Sequence, residues 1–431
     1  MAGSEQRLRD DFERCFEGLA AIGRDPAGGW TRLAWTAEDA AARDWFRAEA
    51  RARGLEVDQD TAGNLWAWWP PAGPPVPDPG APAASGPPPG ADPGGAVAVG
   101  SHLDTVPNGG AYDGALGVVT ALVAVAELAR RAVTPLRPVA VVAFADEEGG
   151  RFGLPTFGSR VLAGALDPAT VLDRADQAGT TLGAALAGAG LDPATLGPDP
   201  DRLAGLAAFV ELHVEQGRGL VDHGVPVGLA TAMWPHGRWR LTLTGEANHA
   251  GTTRLEDRRD PMLGLAAAIL AARAAAEELG AVATLGRVLV EPNSTNSVAG
   301  RVRAWLDARA DRDQTLDWLL AAFQAAVEEA AGRHRLTVDL TCESRSPAVA
   351  FDADLRGRLA ARLRERGQQP VELATAAGHD AGVLAAALPT AMLFVRNPPG
   401  TSHSPAERAE TDDCLAGVEA LMAVVEELAC R

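Results

Sequence analysis

Lysine is absent from the 431 residues, so all 39 basic side chains of the Lys and Arg class are arginines. That absence removes Schiff-base chemistry on a lysine amine and the phosphate-gripping lysine of a P-loop. Basic charge is also outnumbered: 57 acidic residues leave a formal net charge of −18. Such a surface, with no basic stripe, repels phosphates, and nucleic acid is not an expected partner. Cysteine is scarce as well. Cys15, Cys342, Cys414 and Cys430 are scattered with no C-x-x-C pair for zinc or redox exchange, and read as reduced thiols of a cytoplasmic protein. Long hydrophobic runs are missing too: no stretch of about 18 apolar residues occurs. The first residues, MAGSEQR, carry no apolar signal segment. Neither secretion nor a membrane partner is expected.

What is present is ample core. Apolar residues make up 47% of a chain longer than one core usually serves, which predicts two domains. The spacing predicts a helix over 35–51 with Thr36 as N-cap, then short strands over 55–60 and 64–69. From 70 to 95 the chain is nearly all Pro, Gly, Ala and Asp, and reads as a solvated loop without chemistry. Continuous apolar runs at 96–101, 138–144 and 206–212, with a helix over 115–131, predict a mostly parallel sheet covered on both faces. After residue 224 strands and helices alternate in a compact α+β pattern, with strands over 227–233, 239–244, 284–290 and 302–308 and helices over 261–279 and 315–331. A helix over 352–366, a strand over 390–395 and a helix over 412–430 follow. The expected division is therefore a discontinuous first domain, 1–224 with 342–431, and an inserted unit, 225–341.

Only eight histidines occur, and three stand in polar or strand-end contexts beside carboxylates. His102 and Asp104 follow the first apolar strand, Asp146, Glu147 and Glu148 the second, and His213 ends the third, while His403 lies in the tail. In parallel sheets ligands collect beyond the carboxyl ends of strands. A lone His-x-Asp or Asp-Glu-Glu is more often a solvated loop; convergence on one sheet edge reverses that weighting. His102, His213 and His403 with Asp113 and Glu148 supply three nitrogens and two carboxylates, enough for two divalent ions sharing Asp113 and keeping a water position open. Neighbouring Glu147 and Glu148 point to different sides, so one can ligate while the other faces a substrate. Asp104 can reach back to fix an imidazole. His223 and His334 lack such context and read as surface residues; His236 is open.

The segments GSHLDTVPNGG (100–110) with YDG (112–114), ADEEG (145–149), ELHVEQG (211–217), NHAGTT (248–253) and TSHSP (401–405) resemble those of the M20-type amidohydrolases. Within these, the chain is similar to the branch of N-carbamoyl-L-amino acid hydrolase, allantoate amidohydrolase and β-ureidopropionase, from about residue 30 to the C-terminus, the Pro/Gly loop excepted. The resemblance implies an α/β fold with a zinc-peptidase-like catalytic domain and an inserted α+β lid that also forms a homodimer. It implies metal ligands at His102, Asp113, Glu148, His213 and His403, with Glu147 as general base. His249 corresponds to a histidine that stabilises the oxyanion, open to delivery by the partner subunit, with a buried residue at the turn flanked by Gly245 and Gly251 as the alternative. Asn296 and Arg309 match a clamp for the substrate carboxylate, where an arginine fork binds bidentately, with a surface ion pair as the alternative for Arg309. Gln216 corresponds to a residue facing the substrate, and Gly378 and His379 to a loop near the site, His379 having the alternative of capping the next helix. The implied cofactors are two divalent ions, zinc first, with manganese, cobalt and nickel also suited to this donor set. The implied reaction is hydrolysis of a linear ureide C–N bond, in an N-carbamoyl-L-amino acid or allantoate, releasing ammonia and carbon dioxide. An M20 dipeptidase or N-acyl-L-amino acid deacylase is the alternative. One departure is Arg254, where many carbamoylases carry proline; pointing inward it would add an anion site, pointing outward it would be solvated.

Overall fold

The computed structural model describes residues 2–26, 28–70 and 95–431. All but the ends of the expected Pro/Gly loop over 70–95 lies outside the described residues.

The chain forms two compact units. The first comprises 1–231, 350–373 and 378–431. Its framework is a nine-stranded sheet. Across it run Glu56–Gln59, Leu65–Trp69, Val139–Phe144, Ala96–His102, Leu206–Val214, Thr390–Val395, Val227–Met233 and Val349–Ala350, with Val371–Thr375 beside Val227–Met233. The central pairings are parallel. Those of Leu65–Trp69 and Val227–Met233 with their neighbours in the centre are antiparallel. Valine- and alanine-rich strands suit this centre because both faces are buried. Val97, Val99, Val141, Val210 and Leu212 face one core, whereas Ala98, Val142, Phe144 and Phe209 face the other. Helix Ala115–Arg130 is apolar on nearly every side because it lies between the sheet and Thr411–Ala429. Thr36 caps helix Ala37–Ala52 by accepting the Asp39 N–H.

The second unit comprises 232–349 with 374–377. Its antiparallel sheet runs in the order Thr337–Ser346, His236–Thr244, Arg301–Arg309, Val282–Glu291. Strict alternation in Arg301–Arg309 turns Val302, Ala304, Leu306 and Ala308 inward against helices Pro261–Leu279 and Asp313–His334. The expected strand over 227–233 forms, but it pairs with Thr390–Val395 in the nine-stranded sheet. The fourth strand of the smaller sheet is Thr337–Ser346, which the expected boundary at 341/342 divides. Its Val338, Leu340 and Cys342 recur every second residue, yet as an edge strand it buries none of them fully, unlike the alternating inward residues of His236–Thr244 and Arg301–Arg309. Among the described residues no helix is long and apolar enough to cross a membrane.

Candidate metal centre

The sequence-predicted residues of the first unit meet at the carboxyl ends of the parallel strands. His102 ends Ala96–His102, and His213 lies near the end of Leu206–Val214; their rings are 5.7 Å apart. Asp113 is buried between them. Its Oδ1 lies 3.4 Å from His102 Nε2 and 3.1 Å from His213 Nε2, and its Oδ2 lies 3.5 Å from His403 Nε2. That His403 nitrogen is 3.3 Å from Glu148 Oε2. The two oxygens of one carboxylate thus address two donor groups, His102 with His213 and His403 with Glu148. Each group, taken with Asp113, is compact enough to hold an ion.

The donor set fits divalent cations on a further observation. His102 Nε2 and Glu148 Oε1 are buried with no hydrogen-bond partner, an arrangement that costs free energy unless a cation or water satisfies it. The electrostatics agree. Burial alone would raise the Asp113 carboxyl, but the facing His213 and His102 rings carry it well below the usual aspartate value. Glu147 and Glu148 are pushed well above the usual glutamate value, first by burial, with Asp113 adding to the rise of Glu148. Positive charge in their midst reverses that tendency.

Asp104 does more than face an imidazole. Its main-chain oxygen is 3.1 Å from His102 Nδ1, and its carboxylate is 3.6 Å from the same nitrogen. The two carboxylate oxygens accept the N–H groups of Glu147 (3.1 Å) and Glu148 (3.0 Å), fixing the turn that carries both glutamates. Behind it the fully buried Arg32 donates to the Leu103 carbonyl at 2.8 Å, which pins the same loop from within.

Gly114 makes the crowding workable. It takes φ +63°, and a Cβ there would lie 2.3 Å from His102 Cε1. Gly114→Ala is therefore expected to keep the sheet, as read by circular dichroism, while lowering metal affinity by about 10–100-fold. Metal content equal to wild type after dialysis would count against this placement.

Gln216 stands within the cluster, its Nε2 donating to Asp113 Oδ2 at 2.8 Å. His379 is buried and does not cap helix Asp380–Leu384; its ring meets His213 edge-on at 4.5 Å. Burial, then His213, hold it well below the usual histidine value. Gly378 precedes it in the same loop. Sequence reasoning passed over Glu211 and Asp380. Glu211 accepts from Ser101 Oγ (2.7 Å) and the Ala381 N–H (2.9 Å), and Asp380 accepts from Ser159. For Glu211 the available signal was a charged residue inside an otherwise apolar buried strand; Asp380, at the start of helix Asp380–Leu384, offers no such signal.

The other three predicted residues belong to the second unit. His249 and Asn296 lie in or beside one small ribbon, Asn248–His249 paired with Ser297–Val298, and both are exposed. His249 Nδ1 accepts the N–H groups of Gly251 (3.0 Å) and Thr252 (3.2 Å), which in the neutral ring puts the proton on Nε2. Arg309 donates through Nε to Asp307 Oδ1 (2.9 Å) and through Nη1 to the Ala376 carbonyl (2.7 Å). Arg254 is turned outward, its side chain 70% exposed and paired with Glu256 and Asp257 of its own loop. His236 is half-buried against the Trp234 carbonyl at 3.2 Å, and His223 is exposed.

The chain belongs to peptidase family M20/M25/M40, whose model matches residues 98–427. It is 37% identical over 422 residues to an N-carbamoyl-L-amino acid amidohydrolase of Geobacillus stearothermophilus, covering 97% of this chain and 98% of that one. It is 32% identical over 426 residues to an allantoate amidohydrolase of Escherichia coli, covering 98% of each. A solved amidase of the hydantoinase/carbamoylase family from Burkholderia vietnamiensis superposes with a TM-score of 0.83 at 32% identity, covering 99% of this chain and 98% of that one. Enzymes of this family are metal-dependent, and the clusters around Asp113 are candidate metal-binding groups.

Proposed function

We propose that this chain is a binuclear metal-dependent amidohydrolase that cleaves the C–N bond of a linear ureide bearing a carboxylate, an N-carbamoyl-L-amino acid or allantoate. The observation that carries this reading is the division of Asp113, one oxygen toward His102 and His213, the other toward His403, whose ring meets Glu148. These five residues would hold two divalent ions, zinc first, with manganese, cobalt or nickel as substitutes. When bound, such ions polarise a carbonyl and acidify a water near neutral pH.

The chain's own groups do the rest. Glu147, buried beside His102, takes a proton from the attacking water on its carboxylate and passes it to the leaving nitrogen. His249 donates its Nε2–H to the developing oxyanion, a role its tautomer suits. Arg309 and Asn296 hold the substrate carboxylate, converting binding energy into position. Gln216, Gly378 and His379 line the substrate side. Asp104 keeps both glutamates in place.

The first unit is the catalytic domain, and the second serves as lid and dimer interface in a cytoplasmic homodimer. Leu263 and Leu270, exposed 50% and 71%, share helix Pro261–Leu279 with the exposed Met262 and Ile269, next to edge strand Val282–Glu291. An apolar patch of this kind marks an association surface. Leu270→Asp is expected to convert the dimer to monomer in light scattering after gel filtration, with each unit's fold intact. A wild-type chain that is already monomeric would refute the dimer.

A substrate panel tests the activity: N-carbamoyl-L-amino acids, allantoate, N-acyl-L-amino acids and dipeptides, assayed for ammonia and free amine. Turnover of a ureide is expected. Turnover of dipeptides or N-acyl amino acids alone would establish the dipeptidase or deacylase alternative.

A further inference from the structure

Glu407 is a buried carboxylate, 4% exposed, to which the chemistry above gives no part. It joins two loops nearly 300 positions apart. Its Oε1 accepts the N–H groups of Tyr112 at 3.0 Å and Asp113 at 2.9 Å. Its Oε2 is 3.0 Å from the Ser402 hydroxyl, which also lies 2.9 Å from Asp113 Oδ2. The Glu407 N–H closes the turn that directly follows His403 by donating to the Ser404 carbonyl at 3.0 Å. Room for the carboxylate exists because residue 110 is glycine; a Cβ there would lie 2.1 Å from Glu407 Oε1.

The candidate ligands differ in what holds them. His102 and His213 belong to strands in the middle of a sheet buried on both faces. Asp113 and His403 sit in loops, and His403 takes a left-handed φ of +54°. A loop-borne ligand depends on local hydrogen bonds for its position, and charge-assisted bonds from two consecutive N–H groups to one carboxylate are strong and directional. We propose that Glu407 is a positioning residue that locks the Asp113 loop to the His403 loop, and so sets the affinity of the ion held by Asp113, Glu148 and His403. This rests on the binuclear reading given above.

The experiment titrates metal-stripped protein with zinc alone against a chromophoric chelator, with thermal unfolding of the stripped protein in parallel. Wild type is expected to take up two ions. In Glu407→Ala the ion that His403→Ala also weakens should lose about 10–100-fold in affinity while the other changes less, and the stripped protein should unfold at its usual temperature. Glu407→Gln keeps an acceptor oxygen for both N–H groups and should restore most of the loss. Equal weakening of both ions, or unchanged affinities in Glu407→Ala, would overturn the proposal. If Glu407→Ala does not fold, Ser402→Ala removes only the hydroxyl between Glu407 and Asp113. It should weaken the same ion several-fold; no change there would overturn the proposal equally. A wild-type chain that binds fewer than two ions would refute the binuclear reading itself, a result distinct from failure of the variants.

Discussion

Replacing Glu147 by glutamine is expected to lower kcat by about 10²–10⁴-fold with KM little changed. The substitution keeps size and polarity and removes the basic oxygen. Glu147 is 3.7 Å from His102 Nε2, and the Asp104 carboxylate holds its main chain at 3.1 Å, so the amide should occupy the same place. Metal content should stay at the wild-type level because the division of labour gives Glu147 no ion to hold. Burial, reinforced by Asp380, Glu148 and Asp104 and opposed by His102, raises the Glu147 carboxyl well above the usual glutamate value. Single-turnover kinetics beside metal analysis would decide the matter. Undiminished turnover in the glutamine variant would place the base elsewhere, and loss of metal along with activity would make Glu147 a ligand.

The second large effect concerns Asp113. Asp113→Asn should bring both metal content and turnover close to background, because one substitution withdraws negative charge from both groups of donors at once. Loss of His403 alone should spare the ion nearer His102 and His213, which distinguishes a shared carboxylate from an ordinary ligand. Chelation of the wild type should abolish activity, and adding back a divalent ion should restore it; the asparagine variant should not recover. Persistent turnover in chelated protein, verified free of metal by elemental analysis, would end the metal-dependent reading. Both predictions use side chains from the first unit alone and do not depend on His249, Asn296 or Arg309.

Much of this centre could be read from the residues. His102, Glu147 and His213 sit at or near the ends of apolar strands, and a parallel sheet brings such ends to one edge. The sequence could not say which atoms would meet. The Asp104 carboxylate serves the N–H groups of Glu147 and Glu148 more closely than the His102 ring, because the chain between them folds back over the loop. Gln216 lies on Asp113, and Glu211 and Glu407 occupy interior positions that a lone glutamate in a short segment gives no reason to expect. Strand Val227–Met233 went to the wrong sheet for a related reason. Its periodicity identifies an element but not its partner, and adjacency in sequence to the inserted unit was outweighed by hydrogen bonding to Thr390–Val395.

The position of Thr390–Val395 has a bearing on folding. This strand inserts between Leu206–Val214 and Val227–Met233, so the sheet closes only when segments far apart in sequence have met. Such long-range pairing is slow to form. His403 follows the strand closely, and its turn is joined to the Asp113 loop through Glu407 and Ser402. In the binuclear reading proposed above, the ion on the His403 side would therefore be retained only once this distant strand has docked.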